Sequence, residues 1–372
     1  MNFEFSEEDA QLRDAIQKWV AKDYTQERRK AIVEAGGFSR EAYAELAGLG
    51  ACGLQVAERW GGLDMGAVQA MVVMEELGRG LVLEPYAQTV VGTAVLGTFG
   101  GEDVQAAWCG GLADGTRMIS LAHQEQGARY RAAPCATRAL RVADRWEVSG
   151  VKTLVPAGDV VDGFIVPAMA EDRLSLFIVE RGAPGVSTHP YGTQDGARAA
   201  DVRFRAAAAQ LLAVDGDAAL AFALDRYAAA LCAEGVGIMD QALAATVDYL
   251  RTRKQFGVEL ASFQALRHQV ADMKMQLELA RSMSYYATLS LELDPPARTI
   301  AVSRAKYQLG ISMRQIGQQA VQLHGGIGMT DEYIVSHYFK RLTQIELTCG
   351  DTRHHLAAVS DAMKDVASVV AD

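Results

Sequence analysis

Prolines are concentrated in the middle of this 372-residue chain, where five of the eight lie between residues 134 and 190. Around them stand short stretches rich in Val, Ile, Phe and Trp and bounded by turn residues: Trp146 to Leu154, Gly163 to Val166 and Leu174 to Glu180. Proline interrupts helices, and short β-type stretches at this spacing indicate strands. We therefore predict a small all-β domain over residues 116–213, with the alanine run Ala206 to Ala209 as a connector near its end.

The N-terminal part of the chain, residues 1–115, has the pattern of short amphipathic helices. Ser6 and Asp9 form a possible capping box in front of an apolar stripe. Further helices, separated by glycine pairs, are predicted at Arg40 to Gly48, Ala67 to Gly78 and Tyr86 to Thr98.

The C-terminal part, residues 214–372, has longer helical segments. After Gly257, apolar residues recur at alternating steps of three and four until Pro295-Pro296 ends the helix, and another helix follows over about 298–323. Long antiparallel helices with short connections imply a four-helix bundle. The predicted fold is therefore α+β and mostly α, with a helical domain on each side of a small β-barrel or sandwich.

Composition excludes several classes of function. The 36 Lys plus Arg residues stand against 46 Asp plus Glu, a formal charge of -10, and no basic run stands out. A nucleic-acid or anionic-membrane surface is therefore not expected. The five cysteines form no C-x-x-C pair and indicate no disulfide framework or metal site. We expect no membrane span and a cytoplasmic location, since the N-terminus is acidic and lacks a secretory pattern.

The stretch YLRTRKQFG, Tyr249 to Gly257, is one of two motifs that suggest a specific chemistry. Arginine is always charged and presents a bidentate fork, which suits a buried pyrophosphate. The alternative is an ordinary helix end, with a solvated Arg253, Phe256 anchored in the core and Gly257 as a C-cap.

The second motif is QLHGGIGMTDEY, Gln322 to Tyr333. Glycines let main-chain N–H groups approach a phosphate and accept positive φ. The alternative is a glycine turn between helices.

Together, in this order and at helix ends, the two motifs resemble those of the acyl-CoA dehydrogenases. The resemblance implies FAD as cofactor and oxidation of an acyl-CoA to its trans-2-enoyl-CoA. It also implies that Arg253, Gln255 and Phe256 reach across a subunit interface to a neighbour's FAD. Gln322, Gly325 and Gly326 then lie at the adenosine diphosphate part of FAD. A family oxidase that uses oxygen directly stays open, as does a purely helical interaction protein without flavin.

The middle region resembles the family less closely. The segment SLAHQEQG, Ser120 to Gly127, takes the place of a flavin loop, where Gln124 stands for the usual threonine. Leu154 stands where the family carries a tryptophan over the flavin ring. Pro156 replaces a Thr or Ser near flavin N5, and proline offers neither an N–H nor a hydroxyl.

The catalytic base of the family is a glutamate, because removing the α-proton of an acyl-CoA calls for a carboxylate in a water-poor pocket. Its usual position is Cys349 in this chain, and the alternative position on the first bundle helix is Tyr227. The neighbouring carboxylates that could replace it are Asp351, Glu346 and Glu234. Asp351 also matches a family threonine that contacts FAD, and its alternative role is N-cap of the last helix.

Two further stretches, Glu75 to Tyr86 and His337 to Asp351, resemble one branch of the family, the small subunit of pimeloyl-CoA dehydrogenase. That branch works beside a homologous large subunit. The resemblance therefore implies an acyl-CoA substrate, an electron-transfer flavoprotein as electron acceptor, and either a homotetramer or a heterotetramer with a large subunit. A non-catalytic subunit that completes a partner's flavin site is the alternative to an independent enzyme.

Overall fold

A computed structural model of the protein describes residues 6–131 and 135–369, with side chains up to residue 363. The N-terminal part forms helices as predicted. The capping box is confirmed, since the Asp9 amide donates to Ser6 Oγ (3.1 Å) and the Ser6 amide donates to the Asp9 carboxylate (3.0 Å). Helices α2 and α6 were not predicted from the sequence. Both are short, and α6 contains a Gly-Gly pair. The helices are α1 (Glu7–Lys22), α2 (Gln26–Glu34), α3 (Arg40–Gly48), α4 (Ala67–Arg79), α5 (Tyr86–Phe99) and α6 (Glu102–Ala113).

The middle of the chain is a mostly antiparallel barrel, which confirms the predicted β domain. Five strands close on themselves in the order β4-β2-β3-β7-β5, because β5 pairs again with β4, while β1 adds in parallel to β4 and β6 adds to β7. Buried aromatic and branched side chains fill the interior, including Phe164, Phe177 and Phe204. The strands are β1 (Ile119–Leu121), β2 (Arg138–Val142), β3 (Arg145–Pro156), β4 (Gly163–Ala170), β5 (Arg173–Glu180), β6 (Val186–Gly192) and β7 (Arg198–Ala213).

The prediction that Ala206 to Ala209 is a connector is wrong, because these alanines lie inside β7. Ala207 pairs with Val148 of β3 and is fully buried. Ala206 sits at an irregularity with φ of 48°, where its amide donates to Ser149 Oγ (2.9 Å). Alanine has little strand preference of its own, so long-range pairing decides its conformation here.

The C-terminal region is helical, as predicted, with one helix more than a four-helix bundle over the described residues. α9 packs against α8, α10 and α11. The additional helix is α10, whose sequence gave no separate start and stop signals. The elements are α7 (Gly216–Thr252), β8 (Lys254–Gln255), β9 (Val258–Glu259), α8 (Gln264–Leu289), α9 (Pro295–His324), α10 (Ile334–Leu347) and α11 (Thr352–Val369).

Contacts divide the chain into two compact units. The first contains the described residues within 1–25, 71–82 and 228–372, and the second contains 26–70 and 83–227. The three-domain division at residues 115 and 213 stays a prediction. Within the described chain, α7 is the one helix long and apolar enough to cross a membrane, and 78% of its apolar window is buried in the protein. Such burial is typical of a core helix.

Helices of the first unit are joined by a buried network of charges. Arg281 of α8 and Arg79 of α4 both pair with Glu75 and Asp240, and Arg13 of α1 pairs with Glu76 (3.2 Å). Each glutamate therefore has cationic partners, as a buried charge requires.

Candidate flavin-binding site

The first motif forms a hairpin at the end of α7. Strands β8 and β9 pair, and the two residues between them, Phe256 and Gly257, have φ of 54° and 79°. Positive φ at both central positions defines a type I′ turn, and glycine fits the second position without strain. The Leu260 amide donates to the Arg253 carbonyl (2.9 Å) and closes the base of the hairpin. Gly257 is therefore a turn residue and not a helix C-cap.

Side chains of this hairpin point away from their own protein. Phe256 is 90% exposed, so the alternative of a core anchor is wrong, and its only ring contact among the described residues is the edge of Phe263. Arg253 and Gln255 are exposed, and in the described part of the chain their side chains have no hydrogen bond or ion pair. An exposed aromatic ring beside a free guanidinium is suited to a ligand or a partner chain.

The second motif begins on the last turn of α9. Gln322 is exposed, and Gly325 ends the helix with φ of 63° and ψ of -142°. A Cβ atom added at Gly325 or Gly326 would meet nothing within 4 Å. The two glycines therefore leave the backbone open to close approach by a ligand, and the positive φ at Gly325 favours glycine.

An aromatic stack brings the two motifs together in the first unit. The buried His324 ring, directly before Gly325, stacks on Tyr249 with centroids 4.4 Å apart and contacts Tyr333 at 5.1 Å. Its Nδ1 donates to the Ala320 carbonyl (2.7 Å). Tyr249 lies one helical turn before Arg253. The sequence identified both motifs but not this stack, since an aromatic residue at a helix end is usually core.

The loop Ser120–Gly127, in the second unit, is fixed by Glu125. Its carboxylate accepts hydrogen bonds from Lys152 Nζ (2.7 Å), from the Ala136 amide (2.6 Å), and from the Thr137 amide (3.1 Å) and hydroxyl (2.7 Å). Burial alone would raise the pKa of Glu125, but the bonds from Lys152 and Thr137 lower it to about 2. Glu125 is thus a fixed anion. The main-chain carbonyl of Gln124 accepts a hydrogen bond from the Thr153 amide (2.9 Å).

At the end of β3 the hydrogen-bonding groups are used within the chain. Leu154 is half-exposed with φ of 52°, and its amide donates to the Tyr191 hydroxyl (3.1 Å), which donates to Asp201 (2.8 Å). The Pro156 carbonyl accepts from Ser120 Oγ (2.8 Å). Leu154 and Pro156 themselves therefore offer neither the aromatic ring nor the hydroxyl that the family resemblance implies at these two positions.

One buried polar atom of the loop has no partner in the described chain. It is Nδ1 of His123, whose pKa is lowered to about 4 by burial and by Lys152. The ring is therefore neutral at pH 7.

Each candidate carboxylate is engaged by another group. Glu234 is buried and bidentate with Arg341, with N–O distances of 2.6 and 2.8 Å. Glu346 is buried and accepts from Arg314 (3.0 Å) and from the Thr352 hydroxyl (2.6 Å). Asp351 caps α11, as the alternative predicted, because its carboxylate accepts from the His354 amide (2.8 Å). Each of these carboxylates would have to give up these contacts before it could approach a substrate proton.

The family position of the base holds Cys349, which is half-buried with φ of 58° beside Gly350 at 107°. The other family position holds Tyr227, a buried side chain. Neither is a carboxylate. Among the described residues no three His, Cys, Asp or Glu side chains form a metal-ligand set.

The diphosphate-end residues therefore fit FAD, with a free guanidinium, a free amide and an open glycine backbone. Leu154 and Pro156 lack the groups that the family resemblance implies at their positions. A barrel that lies in the chain between two helical regions, with one motif after α7 and the other at the end of α9, is the arrangement expected of a flavoprotein of the acyl-CoA-oxidising class.

Comparison with known proteins identifies the family. The profile of the acyl-CoA dehydrogenase N-terminal domain matches residues 6–116, and that of the C-terminal domain matches residues 215–364. Acyl-CoA dehydrogenase FadE12 of Mycobacterium tuberculosis (strain ATCC 25618 / H37Rv) is 31% identical over 353 residues, 89% of each chain. The chain belongs to the acyl-CoA dehydrogenase family, whose members are FAD-dependent flavoproteins.

Solved structures have the same fold. The Tcur3481-Tcur3483 steroid ACAD is 29% identical with a TM-score of 0.90, covering 97% of this chain and 99% of that one. The ChsE4-ChsE5 complex from Mycobacterium tuberculosis is 24% identical with a TM-score of 0.91, covering 98% and 99%. The second likeness concerns the fold alone.

Proposed function

We propose that this chain is a half-site subunit of an acyl-CoA dehydrogenase. The assembly oxidises an acyl-CoA to its trans-2-enoyl-CoA, and the chain contributes groups for the diphosphate end of FAD. The observation that carries the proposal is the contrast between two sets of residues. Arg253 and Gln322 are free to bind, whereas Glu234, Glu346 and Asp351 are all engaged.

Bound FAD supplies the hydride acceptor for this reaction. Arg253 and Gln255 offer charged and neutral donors to the diphosphate, and Phe256 offers an apolar surface. Gln322 and the main chain of Gly325 and Gly326 approach the adenosine side. Gln124 and Asp351 are further cofactor contacts in the proposal, beside their roles in the loop and the helix cap.

The α-proton needs a base that this chain does not supply in a suitable form. A thiol occupies the family position, and freeing Glu234 would break its bidentate ion pair with Arg341. We therefore assign the base to a homologous partner subunit, in a heterotetramer rather than a homotetramer. The ChsE4-ChsE5 structure, named as a complex of two chains, supports such pairing in this fold.

The electron acceptor in this proposal is an electron-transfer flavoprotein, and the location is the cytoplasm. All five cysteines are free thiols, which supports a reducing compartment. Comparing turnover with oxygen against turnover with an electron-transfer flavoprotein separates a dehydrogenase from an oxidase.

Purification of the chain alone, and with a co-expressed homologue, tests whether this chain binds flavin and is active without a partner subunit. We expect little flavin absorbance and no acyl-CoA-dependent dye reduction from the chain alone, and both from the pair. Replacing the family-position glutamate of the homologue should abolish activity, whereas Cys349→Ala in this chain should leave most of it. A yellow and active homotetramer would exclude the half-site proposal and leave an independent enzyme.

A further inference from the structure

Lys306 of α9 is a buried cation with three carbonyl partners in one short segment. It is 1% exposed, and its Nζ donates to the carbonyls of Ile345 (2.9 Å), Glu346 (3.1 Å) and Gly350 (3.2 Å). Burial lowers the pKa of Lys306. Three acceptors match the three hydrogens of an ammonium group, so the buried charge is fully satisfied.

The segment needs such a donor because it contains the end of α10. The last carbonyls of a helix have no partner inside the helix, and a cation there is favourable. The chain then passes through two consecutive residues with positive φ, Cys349 and Gly350. For a residue with a side chain, that conformation costs roughly 1–3 kcal/mol and persists only if surrounding contacts hold it.

His355 of α11 fixes the same turn from the other side. Its Nε2 lies 3.0 Å from the Cys349 carbonyl and its Nδ1 lies 3.2 Å from Ser303 Oγ. Because a carbonyl only accepts, Nε2 donates and Nδ1 accepts from the Ser303 hydroxyl. Burial first and Lys306 second lower the pKa of His355 to about 3, so the ring stays neutral at pH 7.

Residues 349–351, the Cys349 turn, have the chain positions at which family members place the base and a flavin contact. We infer that Lys306 is a positioning residue, which holds the Cys349 turn in the conformation that the flavin site requires. The link between the Cys349 turn and the flavin site rests on the proposed function. The contact between Lys306 and the turn does not depend on it. The acting group is the ammonium, and no contact of Lys306 with substrate is involved.

The rate at which Cys349 is alkylated reports directly on how tightly the Cys349 turn is held. The other four cysteines are buried, so iodoacetamide followed by mass spectrometry reports chiefly on Cys349. In Lys306→Met the apolar stem remains, but the three carbonyls lose the ammonium donor. We expect Cys349 to react at least about tenfold faster, because losing the net worth of even one or two such bonds opens the turn by that factor. Flavin retention in the assembly should fall in parallel, and Lys306→Arg should restore part of both.

Lys152→Met is the matched control, since Lys152 is also fully buried but contacts Glu125 outside the turn. It should destabilise the protein without changing the Cys349 rate under native conditions. Equal rates in wild type and Lys306→Met, or an equal rise in Lys152→Met, would overturn the inference. If Lys306→Met does not fold, hydrogen exchange of the wild type decides: amides 348 and 352 must be as protected as those of α10.

Accelerated alkylation together with unchanged flavin content would keep the contact but refute its role in the flavin site. Absence of flavin from every variant and from the wild-type assembly would instead count against the proposed function. The two failures are therefore distinguishable.

Discussion

The carboxylate of Glu125 balances the buried ammonium of Lys152, so Glu125→Gln removes one charge of an internal pair while keeping its shape. The side chain of Lys152 is fully buried and that of Glu125 is 9% exposed. Lys152 Nζ also donates to Cys135 Sγ at 3.6 Å, but a thiol sulfur is a weak acceptor and carries no compensating charge. We expect a large loss of stability, because an unpaired buried charge is costly.

The magnitude follows from the pKa of Glu125, about 2 against 4.5 for a free side chain. That difference corresponds to about 3 kcal/mol at neutral pH, and screening at the loop surface reduces it to about 2–3 kcal/mol. For a unit of this size, the thermal midpoint should fall by roughly 5–10 °C.

Calorimetry from pH 7 to pH 2.5 checks both the size and the sign. The folded-state pKa is lowered, so the stabilisation is present above pH 4.5 and is lost as the pH falls towards 2. The gap between wild type and Glu125→Gln should close over that interval. Glu125→Gln combined with Lys152→Met should recover part of the loss, because no charge is left buried. The reasoning would be refuted if Glu125→Gln lost less than about 0.5 kcal/mol of stability. It would also be refuted if the double variant lost more stability than the two single variants together.

Three further predictions concern the flavin motif, a helix crossing and acid stability. Arg253→Ala should weaken FAD retention by the assembly about tenfold to a hundredfold, which is the effect of losing one charged hydrogen bond. Arg251 is also exposed, and Arg251→Ala should leave FAD retention unchanged. If the flavin absorbance of Arg253→Ala equals that of the wild type, Arg253 has no role in the cross-subunit contact. Gly237→Ala should destabilise the chain by about 1–3 kcal/mol in urea unfolding, since the added Cβ would lie 1.9 Å from the Glu75 carbonyl oxygen; Gly97→Ala, where a Cβ meets nothing within 4 Å, should be neutral or stabilising. His355 has a folded pKa of about 3 and His123 of about 4, both lowered by burial, so their contribution is present above pH 6.5 and is lost as the pH falls. Each histidine should lower the free energy of unfolding by about 2 kcal/mol between pH 7 and pH 5. His355→Gln should therefore flatten the dependence of stability on pH over this interval. An unchanged dependence in His355→Gln would argue against a buried neutral ring.

Local rules predicted much of the fold. The Ser6 capping box, the strands of the barrel and the glycine that ends α9 follow from neighbouring residues in the sequence. The Ala206 to Ala209 run did not, because alanine carries no strand preference and its pairing partner lies on β3. α10 was missed for a similar reason, since clear start and stop signals are absent between Tyr333 and Thr348.

The candidate site divides in the same way. Asp351 as an N-cap was foreseeable, because a cap bonds to an amide three residues on. The engagement of Glu234 by Arg341 joins residues 107 positions apart, and no local pattern announces it. The cofactor roles of Arg253, Gln255, Phe256, Gln322, Gly325, Gly326 and Gln124 stay predictions.

The sequence by itself determined the family, the order of helical and β regions, and the two motifs suited to a diphosphate, because short-range spacing and residue type encode these. Only the tertiary structure decided which polar groups are free and which are already paired. Whether a carboxylate is free to contact a substrate depends on partners brought from distant segments, such as Arg341 for Glu234 and Arg314 for Glu346. The same holds for the Cys349 turn, which is held by a lysine about forty residues earlier in the chain.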